Sequence, residues 1–519
     1  MPNWILCLIF LLLQAMPVYG AELTTLAYHD IVEKRNGDDF AITKKDFKQH
    51  MQYLKKQGYQ PISLRFLEDV RNGRAVLPEK AVLLTFDDGL KSYYEYAIPI
   101  LKNYGYPSIL SVVTGWLDGQ RIPKKYMGRL MTWDQVRKVA RSPLVEVITH
   151  THDLHHNIPS NSQGNEAPAG ITRKYDVNTG QYESEEAFRR RIRTDLMRSS
   201  RRLTMELKHQ VRGIAWPYGQ YDQVLVEEAE KLNLKYHFTL DEGPTTLAML
   251  PRINRTTFRK YRALSDLAAV LSTKRYRTEQ IRFVGVDMDV FGDKSEAEQE
   301  NLLSALLNRL ELLRVNAIIV SPFSRDLKTA YFYNEQIPVR RNMLNRVLRQ
   351  IQTRNGITHI YLKIPRRLPT GDWQTVYRDM VRLNWFSGII MTEPAPTSEI
   401  DAVKALFAYY RPTIEFGSMA EPTEHNNIDF FLVELNANLD RNKLRKQVRD
   451  SLNKTNNAFF LLKRISGTTD KQLIRSMQIL RHEGVANFGY DNDNYLENMP
   501  DIMKVVTEIS GYTVVKRIK

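Results

Sequence analysis

The feature that most constrains the fold is an apolar segment that ends in two carboxylates. Residues 81–86 are almost entirely apolar and predict a buried strand, which Asp87, Asp88 and Gly89 follow directly. Because glycine lets a chain leave a sheet sharply, we expect both acids at the carboxyl end of this strand, the edge where α/β folds carry their sites. One acid could bind a cation while its neighbour acts as a general base. The alternative is an aspartate that only caps the next helix.

A second predicted strand, residues 144–148, is followed by a concentration of histidines. Four of the eleven histidines of the chain lie within seven residues: His150, His152, His155 and His156. Neutral imidazole is a strong ligand for zinc and related ions, so we predict His150 and His155 as metal ligands. His152 and His156 are candidates for supporting or substrate-facing positions. An exposed histidine-rich loop is the alternative.

Two more predicted strands end in residues suited to a binding site. Residues 23–28 end at His29, and residues 211–215 end in Trp216-Pro217-Tyr218-Gly219. Aromatic rings present an apolar face on which a sugar can stack, so Trp216 and Tyr218 are candidate substrate-binding residues. An ordinary aromatic turn is the alternative.

Strands that alternate with helices predict an α/β protein with two units. We expect a distorted (β/α) barrel over residues 21–273, with the polar residues 157–183 as a loop beside the site. This unit is followed by a linker at 274–280 and then by a TIM-like (β/α)8 barrel over 281–519. Eight segments predict the strands of this barrel: 281–290, 316–321, 357–364, 387–392, 413–416, 428–435, 458–463 and 484–490.

The amino terminus predicts export. Residues 4–16 are apolar but too short to span a bilayer, so we expect a signal peptide over residues 1–20, cleaved before Ala21, with an uncleaved anchor as the alternative. Cys7 is the only cysteine, so the mature chain would lack disulfides, which suits a periplasm or cell envelope. The net charge of +15 indicates either a solvated surface or attraction to anionic lipid or an acidic polymer. Export argues against nucleic acid as a binding partner.

Taken in order, residues 85–89, the histidines of 150–155 and residues 216–219 resemble the NodB-homology polysaccharide deacetylases, carbohydrate esterase family four. Tyr28-His29-Asp30 resembles the circularly permuted branch, in which the catalytic histidine precedes the two aspartates. The carboxyl-terminal half is similar to the branch that acts on poly-β-1,6-N-acetylglucosamine, a biofilm exopolysaccharide. The segments that carry this similarity are Asp287-Met288-Asp289 and residues 484–490 with Asn494.

The resemblance implies a metal-dependent hydrolase that removes N-acetyl groups from this polymer. Asp88, His150 and His155 would bind one divalent ion, zinc first, with nickel, cobalt or iron as alternatives. Asp87 would be the base and His29 the acid.

Two features depart from the family's pattern. Ala215 stands where the family has an arginine that orients the base, which leaves the group that orients Asp87 unidentified. The paired histidines are five residues apart instead of the commoner four, which indicates a longer turn.

The resemblance further implies that the second barrel binds the partly deacetylated polymer, and in some members cleaves it. Five carboxylates lie near predicted strand ends and could line a groove: Asp287, Asp289, Glu393, Glu415 and Glu434. We expect Asp287, Asp289 and Glu393 to contact polymer. Because Thr392-Glu393-Pro394 stands where a His-Asp-Asp is expected, the sequence favours binding over hydrolysis.

The expected partners are the polymer, an outer-membrane export porin and a membrane surface, with the protein as a monomer. Two other function classes stay open: a non-catalytic polysaccharide-binding export factor and a glycoside hydrolase. A relative that acts on chitin or peptidoglycan is a third alternative, because the motifs indicate the N-acetyl group better than the linkage.

Overall fold

The protein is described from a computed structural model. The described residues are 22–241, 243–258, 263–272, 280–420, 427–455 and 457–510. The predicted signal peptide and residues 274–279 of the predicted linker lie outside them. In the part of the chain that the structure describes, no helix is both long and apolar enough to cross a bilayer.

The amino-terminal half is built on one sheet of ten described strands, here called the first sheet. The strands of this half are β1 (Glu22–Tyr28), β2 (Asp30–Val32), β3 (Ala41–Thr43), β4 (Gln60–Pro61), β5 (Ala81–Phe86), β6 (Ser108–Val112), β7 (Val145–Thr149), β8 (Asn157–Pro159), β9 (Glu166–Pro168), β10 (Tyr175–Asp176), β11 (Gln181–Tyr182), β12 (Gly213–Ala215), β13 (Tyr236–Phe238), β14 (Thr245–Thr246), β15 (Arg252–Ile253) and β16 (Thr256–Thr257). The first sheet has the order β14-β1-β5-β6-β7-β12-β13-β15, with β16 beside β1 and β4 beside β5. Its pairings are parallel except for β1 with β14, so its strands end at one common edge.

The register of the first sheet brings the predicted site residues to that edge. Tyr28 of β1 pairs with Phe86 of β5, so the residues that follow them, His29 and Asp87, leave the sheet side by side. Thr149 of β7 pairs with Ile214 of β12 in the same way. All six residues of β5 are buried, because the sheet is covered on both faces.

Helices cover the first sheet at Lys44–Lys56, Leu64–Arg71, Ile98–Tyr104, Thr114–Leu117, Trp133–Ala140, Glu185–Leu207, Gln223–Glu230 and Leu264–Leu271. Three of them begin at a capping side chain: the hydroxyl oxygens of Thr43, Thr132 and Ser184 accept the free N–H groups of the first turn. The long helix Glu185–Leu207 buries an apolar stripe against the sheet. Its members are Phe188, Ile192, Leu196 and Leu203.

Residues 157–183, predicted as a loop beside the site, differ from the prediction. They form two short antiparallel pairs, β8 with β9 and β10 with β11, here called the insertion hairpins. These hairpins contact the second half of the chain: the ring of Tyr182 lies 5.1 Å from that of Tyr333, and Asn161 Nδ2 donates to Asn345 Oδ1 at 2.8 Å. The sequence did not predict these contacts, because the barrel residues that the hairpins touch lie far away in the chain.

The carboxyl-terminal half is a closed barrel of eight parallel strands, which confirms the predicted TIM-like architecture. The strands are β17 (Arg282–Asp287), β18 (Ala317–Ser321), β19 (His359–Ile364), β20 (Gly388–Met391), β21 (Glu415–Ser418), β22 (Phe430–Asn436), β23 (Ala458–Lys463) and β24 (Asn487–Tyr490). The α-helices of this half are Glu296–Leu313, Leu344–Gln350, Trp373–Leu383, Thr397–Tyr410, Arg441–Lys454, Asp470–His482 and Ile502–Ile509.

Aromatic side chains fill the interior of the barrel. The ring of Phe430 stacks on Phe459 at 4.3 Å and lies 5.2 Å from Tyr361. Gly417 makes room for this cluster, since a Cβ there would lie 2.5 Å from the Phe430 ring. The barrel is therefore a packed core, and its binding surfaces must lie at its ends.

Candidate active site

Asp87 follows β5 and is held by two hydrogen bonds to the same oxygen. Its Oδ1 accepts from Ser111 Oγ at 2.6 Å and from Arg255 Nη1 at 2.7 Å. The guanidinium of Arg255 also donates from Nε to the carbonyl of Thr239 at 3.1 Å, which fixes its own orientation. Arg255 thus supplies from beyond β15 the contact that the family's usual arginine would make from the position of Ala215.

Arg255 was not found from the sequence. It lies 168 residues from Asp87, at a position that no strand-end motif marks. One signal could have indicated such a residue. Asp87 is 3% exposed, and a buried carboxylate requires a cationic partner.

The surroundings of Asp87 keep it ionised. Burial by itself would raise the pKa of this carboxyl, but the nearby charges of Arg255, His150 and His29 outweigh burial, and the net effect holds its pKa well below the usual range. A carboxylate without its proton is the form that can accept one.

Asp88, His150 and His155 converge on one point. Nε2 of His150 and Nε2 of His155 lie 3.6 Å and 3.5 Å from Asp88 Oδ1, and one ligand atom from each of the three residues lies within 4.8 Å of the others. Asp88 Oδ1 is buried and accepts no hydrogen bond from any described residue. A buried acceptor facing two imidazoles fits a cation between them, so these side chains form a candidate metal site of the kind zinc prefers.

Both histidines are suited to be ligands near neutral pH. Burial lowers the pKa of His150 and of His155 to about 4, so both rings are neutral at pH 7. Nδ1 of His150 lies 2.7 Å from the carbonyl oxygen of Ala215. Because a carbonyl only accepts, this contact assigns the proton to Nδ1 and leaves the lone pair of Nε2 free for a cation.

The turn that carries the histidines is held by the helix Glu185–Leu207. The carboxylate of Asp195 on this helix accepts the backbone N–H groups of His152 at 2.9 Å and Asp153 at 2.6 Å. Both Asp88 (φ 73°) and Thr151 (φ 71°) have left-handed backbones, which are strained in residues other than glycine. Asp195 was missed from the sequence because it lies within a helix whose apolar stripe indicated only core packing.

The two remaining histidines of the run lie apart from the metal site. Nδ1 of His152 is 2.9 Å from Thr114 Oγ1, and Nδ1 of His156 is 3.7 Å from Asp153 Oδ1. Burial lowers the pKa of both. His152 therefore has a structural contact to the neighbouring strand end.

His29 lies on the other oxygen of Asp87. Its Nε2 is 3.9 Å from Asp87 Oδ2, and its ring packs 4.9 Å from Phe40. Nδ1 of His29 is buried and has no hydrogen-bond partner among the described residues. The structure thus brings His29, Asp87 and the candidate metal site together.

Tyr218 borders the site, whereas Trp216 does not. Tyr218 is 43% exposed, and its ring lies 4.5 Å from that of His155. Trp216 is 0% exposed and stacks on His237 at 5.8 Å, so the expectation that its ring binds sugar is wrong. The backbone N–H of Trp216 still donates to Phe238 at 3.0 Å, which continues the sheet and turns the indole into the core.

The predicted polymer contacts of the barrel lie at its carboxyl edge and are engaged in ion pairs or hydrogen bonds. Asp287 ends β17 and pairs with Arg325, and Asp289 accepts from the Tyr331 hydroxyl at 2.6 Å. Glu393 follows β20 and accepts the backbone N–H of Arg366 at 3.0 Å. A cavity of about 240 Å³ opens at this edge and has Asp287 in its lining.

The other two carboxylates differ in position. Glu434 lies between Lys363 at 3.1 Å and Lys463 at 2.9 Å. Glu415 is the first residue of β21, at the amino edge of the barrel, so the expectation that it lines a groove with the others is wrong. A strand of four residues is too short for its ends to be assigned from the sequence.

The comparisons with known proteins match this architecture in both halves. The sequence profile of the polysaccharide deacetylase family matches residues 74–237, and a profile described as hypothetical glycosyl hydrolase family 13 matches residues 285–366.

Curated relatives from Escherichia coli and Staphylococcus aureus carry the name poly-beta-1,6-N-acetyl-D-glucosamine N-deacetylase. The chain is 28% identical over 370 residues to the one from Escherichia coli strain K12, which covers 68% of this chain and 54% of the relative. It is 27% identical over 209 residues to the one from Staphylococcus aureus strain MSSA476, which covers 40% of this chain and 64% of the relative. The chain therefore spans less than two thirds of the length of either relative.

Among solved structures, the chain is similar to a de-N-acetylase from Aggregatibacter actinomycetemcomitans. The identity is 31%, the match covers 47% of this chain and 99% of that one, and the TM-score is 0.44.

Proposed function

Because this chain belongs to the polysaccharide deacetylase family, whose profile spans residues 74–237, we propose that it removes N-acetyl groups from poly-β-1,6-N-acetylglucosamine. The observation that carries the proposal is the convergence of Asp88, His150 and His155 on one point beside the ionised Asp87. The names of the E. coli and S. aureus relatives support the choice of polymer. The reaction is hydrolysis of an amide, with acetate and a glucosamine unit as products.

Asp88, His150 and His155 are the residues that would hold one divalent ion. One carboxylate with two neutral imidazoles suits zinc, with nickel, cobalt or iron as alternatives. When bound, such an ion supplies Lewis acidity, which polarises the acetamido carbonyl and lowers the pKa of a water molecule.

Asp87 is the proposed general base. Its carboxylate takes a proton from the attacking water, and its contacts to Arg255 and Ser111 hold it in place for that transfer. The same two contacts occupy Oδ1, which leaves Oδ2 as the oxygen that accepts the proton.

His29 is the proposed general acid, because its Nε2 is 3.9 Å from the oxygen of Asp87 that accepts the proton. It protonates the departing amine as the bond between carbonyl carbon and nitrogen breaks. The backbone N–H of Tyr218 is the proposed donor to the carbonyl oxygen as negative charge develops there.

The barrel is proposed to bind the partly deacetylated polymer, through Asp287, Asp289 and Glu393 near the cavity at its carboxyl edge. The glycosyl hydrolase profile over residues 285–366 favours hydrolysis as a second candidate function. Hydrolysis requires two free carboxylates around a glycosidic bond, whereas Asp287 and Glu434 are each engaged by a cation. Shortening of the polymer, lost in Glu393→Gln, would support hydrolysis over binding.

We propose residues 21–273 as the deacetylase domain and 281–519 as the polysaccharide-binding domain, joined by a linker at 274–280. The division follows the first sheet and the closed barrel. A signal peptide over residues 1–20 would place the protein in the periplasm or cell envelope. An outer-membrane export porin and a membrane surface are the proposed partners of a monomer.

The decisive experiment is acetate release from defined N-acetylglucosamine oligosaccharides by the purified protein and by Asp87→Asn. We expect release by the wild type, and an inactive variant that retains the metal content of the wild type, because Asp87 is not among the three candidate ligands. If the metal-loaded wild type releases no acetate yet binds the polymer, the non-catalytic export factor is the correct function. Parallel assays on chitin and peptidoglycan fragments test the choice of polymer.

A further inference from the structure

A narrow cleft of about 40 Å³ lies between the insertion hairpins and the barrel. Residues such as Ser160 and Gln220 form one side, and Asn345 and Trp385 are on the other. Its lining shares no residue with the candidate metal site or with the cavity at the carboxyl edge of the barrel. We call it the arginine cleft, because its charged lining residues are four arginines: Arg173, Arg349, Arg382 and Arg411.

Two of these arginines are neutralised. Arg173 contacts Glu185 at 2.9 Å and Asp222 at 3.3 Å. Arg382 contacts Asp379 at 3.4 Å and shares Glu185 at 3.7 Å. Asp222 also attracts Arg411, but burial of Arg411 and the like charge of Arg173 outweigh this attraction.

The other two arginines have only neutral hydrogen-bond partners among the described residues. Arg411 donates to the backbone oxygens of Tyr410 and Asn384, both at 3.1 Å, and its Nε is buried without an acceptor. Arg349 donates from Nη1 to Gln352 Oε1 at 3.3 Å. Burial lowers the pKa of Arg411 to about 10 and also lowers that of Arg349, which indicates charges that the protein itself leaves poorly compensated.

An anion would supply the missing compensation. A buried charge without a counter-charge is costly, and a guanidinium presents paired N–H donors that match two oxygens of one oxyanion. The neutral part of the lining adds amide groups, among them Asn345 and Gln220, that can contact further oxygens. We propose that the arginine cleft binds a small oxyanion, such as phosphate, sulfate or a carboxylate, between Arg349 and Arg411.

The proposal is tested by isothermal titration calorimetry of the full-length protein with inorganic phosphate, with ionic strength held constant by sodium chloride. We expect saturable binding of one phosphate per chain, weakened roughly tenfold or more in Arg349→Gln and in Arg411→Gln, because each loses a charge-assisted hydrogen bond. Arg354→Gln is the matched control: it removes the same charge from an exposed position five residues after Arg349, and its affinity should equal that of the wild type. Sulfate and acetate titrations then show which oxyanion binds most tightly.

A second titration after treatment with a chelator separates this cleft from the candidate metal site. Binding that disappears with the chelator would belong to the metal site and would overturn the proposal. The absence of saturable binding, or equal weakening by Arg354→Gln, would also overturn it. Should Arg411→Gln fail to fold, the comparison of Arg349→Gln with Arg354→Gln decides the outcome. Because no step depends on deacetylation, failure here leaves the proposed function intact.

Discussion

Nη1 of Arg255 lies 2.7 Å from Oδ1 of Asp87, although 168 residues separate the two in the chain. Both side chains are almost completely buried, so neither charge has water as a partner. The pair explains how this chain holds its proposed base when alanine occupies position 215. It also yields the first of four predictions.

Replacing Arg255 by Gln should lower the rate of acetate release roughly a hundredfold, since a small displacement of the base has an effect of that size. Arg255 lowers the pKa of Asp87, so its loss should raise that pKa and move the acid limb of the rate profile to higher pH. The measurement is kcat as a function of pH. Metal content should stay unchanged, and Arg252→Gln, on the neighbouring strand β15, should behave as the wild type. An unshifted pH profile in Arg255→Gln would contradict the assignment.

Metal content distinguishes the histidines of the run. We expect His155→Ala to retain much less metal than the wild type, because one of three ligands is removed and the affinity falls roughly tenfold or more. His156→Ala is the matched control, since His156 contacts Asp153 and lies outside the candidate metal site. Metal analysis after dialysis checks both variants. Equal metal content in the two would exclude His155 as a ligand.

His237 should make the fold sensitive to acid. Both ring nitrogens are buried without hydrogen-bond partners among the described residues, and burial lowers the pKa of the ring to about 4. The unfolded chain therefore binds the extra proton between about pH 6.5 and 4, and stability is lost as the pH falls through this window. Between pH 7 and pH 4, the free energy of unfolding of His237→Phe should therefore fall by about 3 kcal/mol less than that of the wild type. Urea denaturation at pH 7 and pH 4 measures it; parallel pH dependence in the two proteins would refute the prediction.

Gly219→Ala should disturb the turn that carries Tyr218. Gly219 has φ +70°, and an added Cβ would lie 2.4 Å from Leu240 Cβ and 2.9 Å from its backbone nitrogen. Gly105→Ala is the control, because Gly105 has φ +67° with open space around the added atom. Both variants bear the cost of a left-handed backbone, about 1–2 kcal/mol. Only Gly219→Ala should show a further fall in Tm together with reduced acetate release, and equal changes in both would argue against a role of this turn.

Local patterns predicted the eight strands of the barrel and, in the first sheet, the four strands β1, β5, β7 and β12 that carry the site residues. The bounds of β5 at residues 81–86 and of β23 at 458–463 agree with the prediction, because each is a continuous apolar segment bounded by polar residues. Parallel strands end at a common edge, so the order of the motifs along the chain was enough to place residues 87–88, 150–155 and 218 together.

The sequence by itself determined which residues stand at the ends of strands, since strand formation and sharp turns depend on neighbouring residues. Only the tertiary structure decided that Arg255 holds Asp87, that Asp195 holds the histidine turn and that Trp216 points into the core. It also decided that the insertion hairpins contact the barrel and that a cleft lies between them. Each of these contacts joins segments far apart in the chain, and a partner across the sheet leaves no periodic signal in the sequence around either residue.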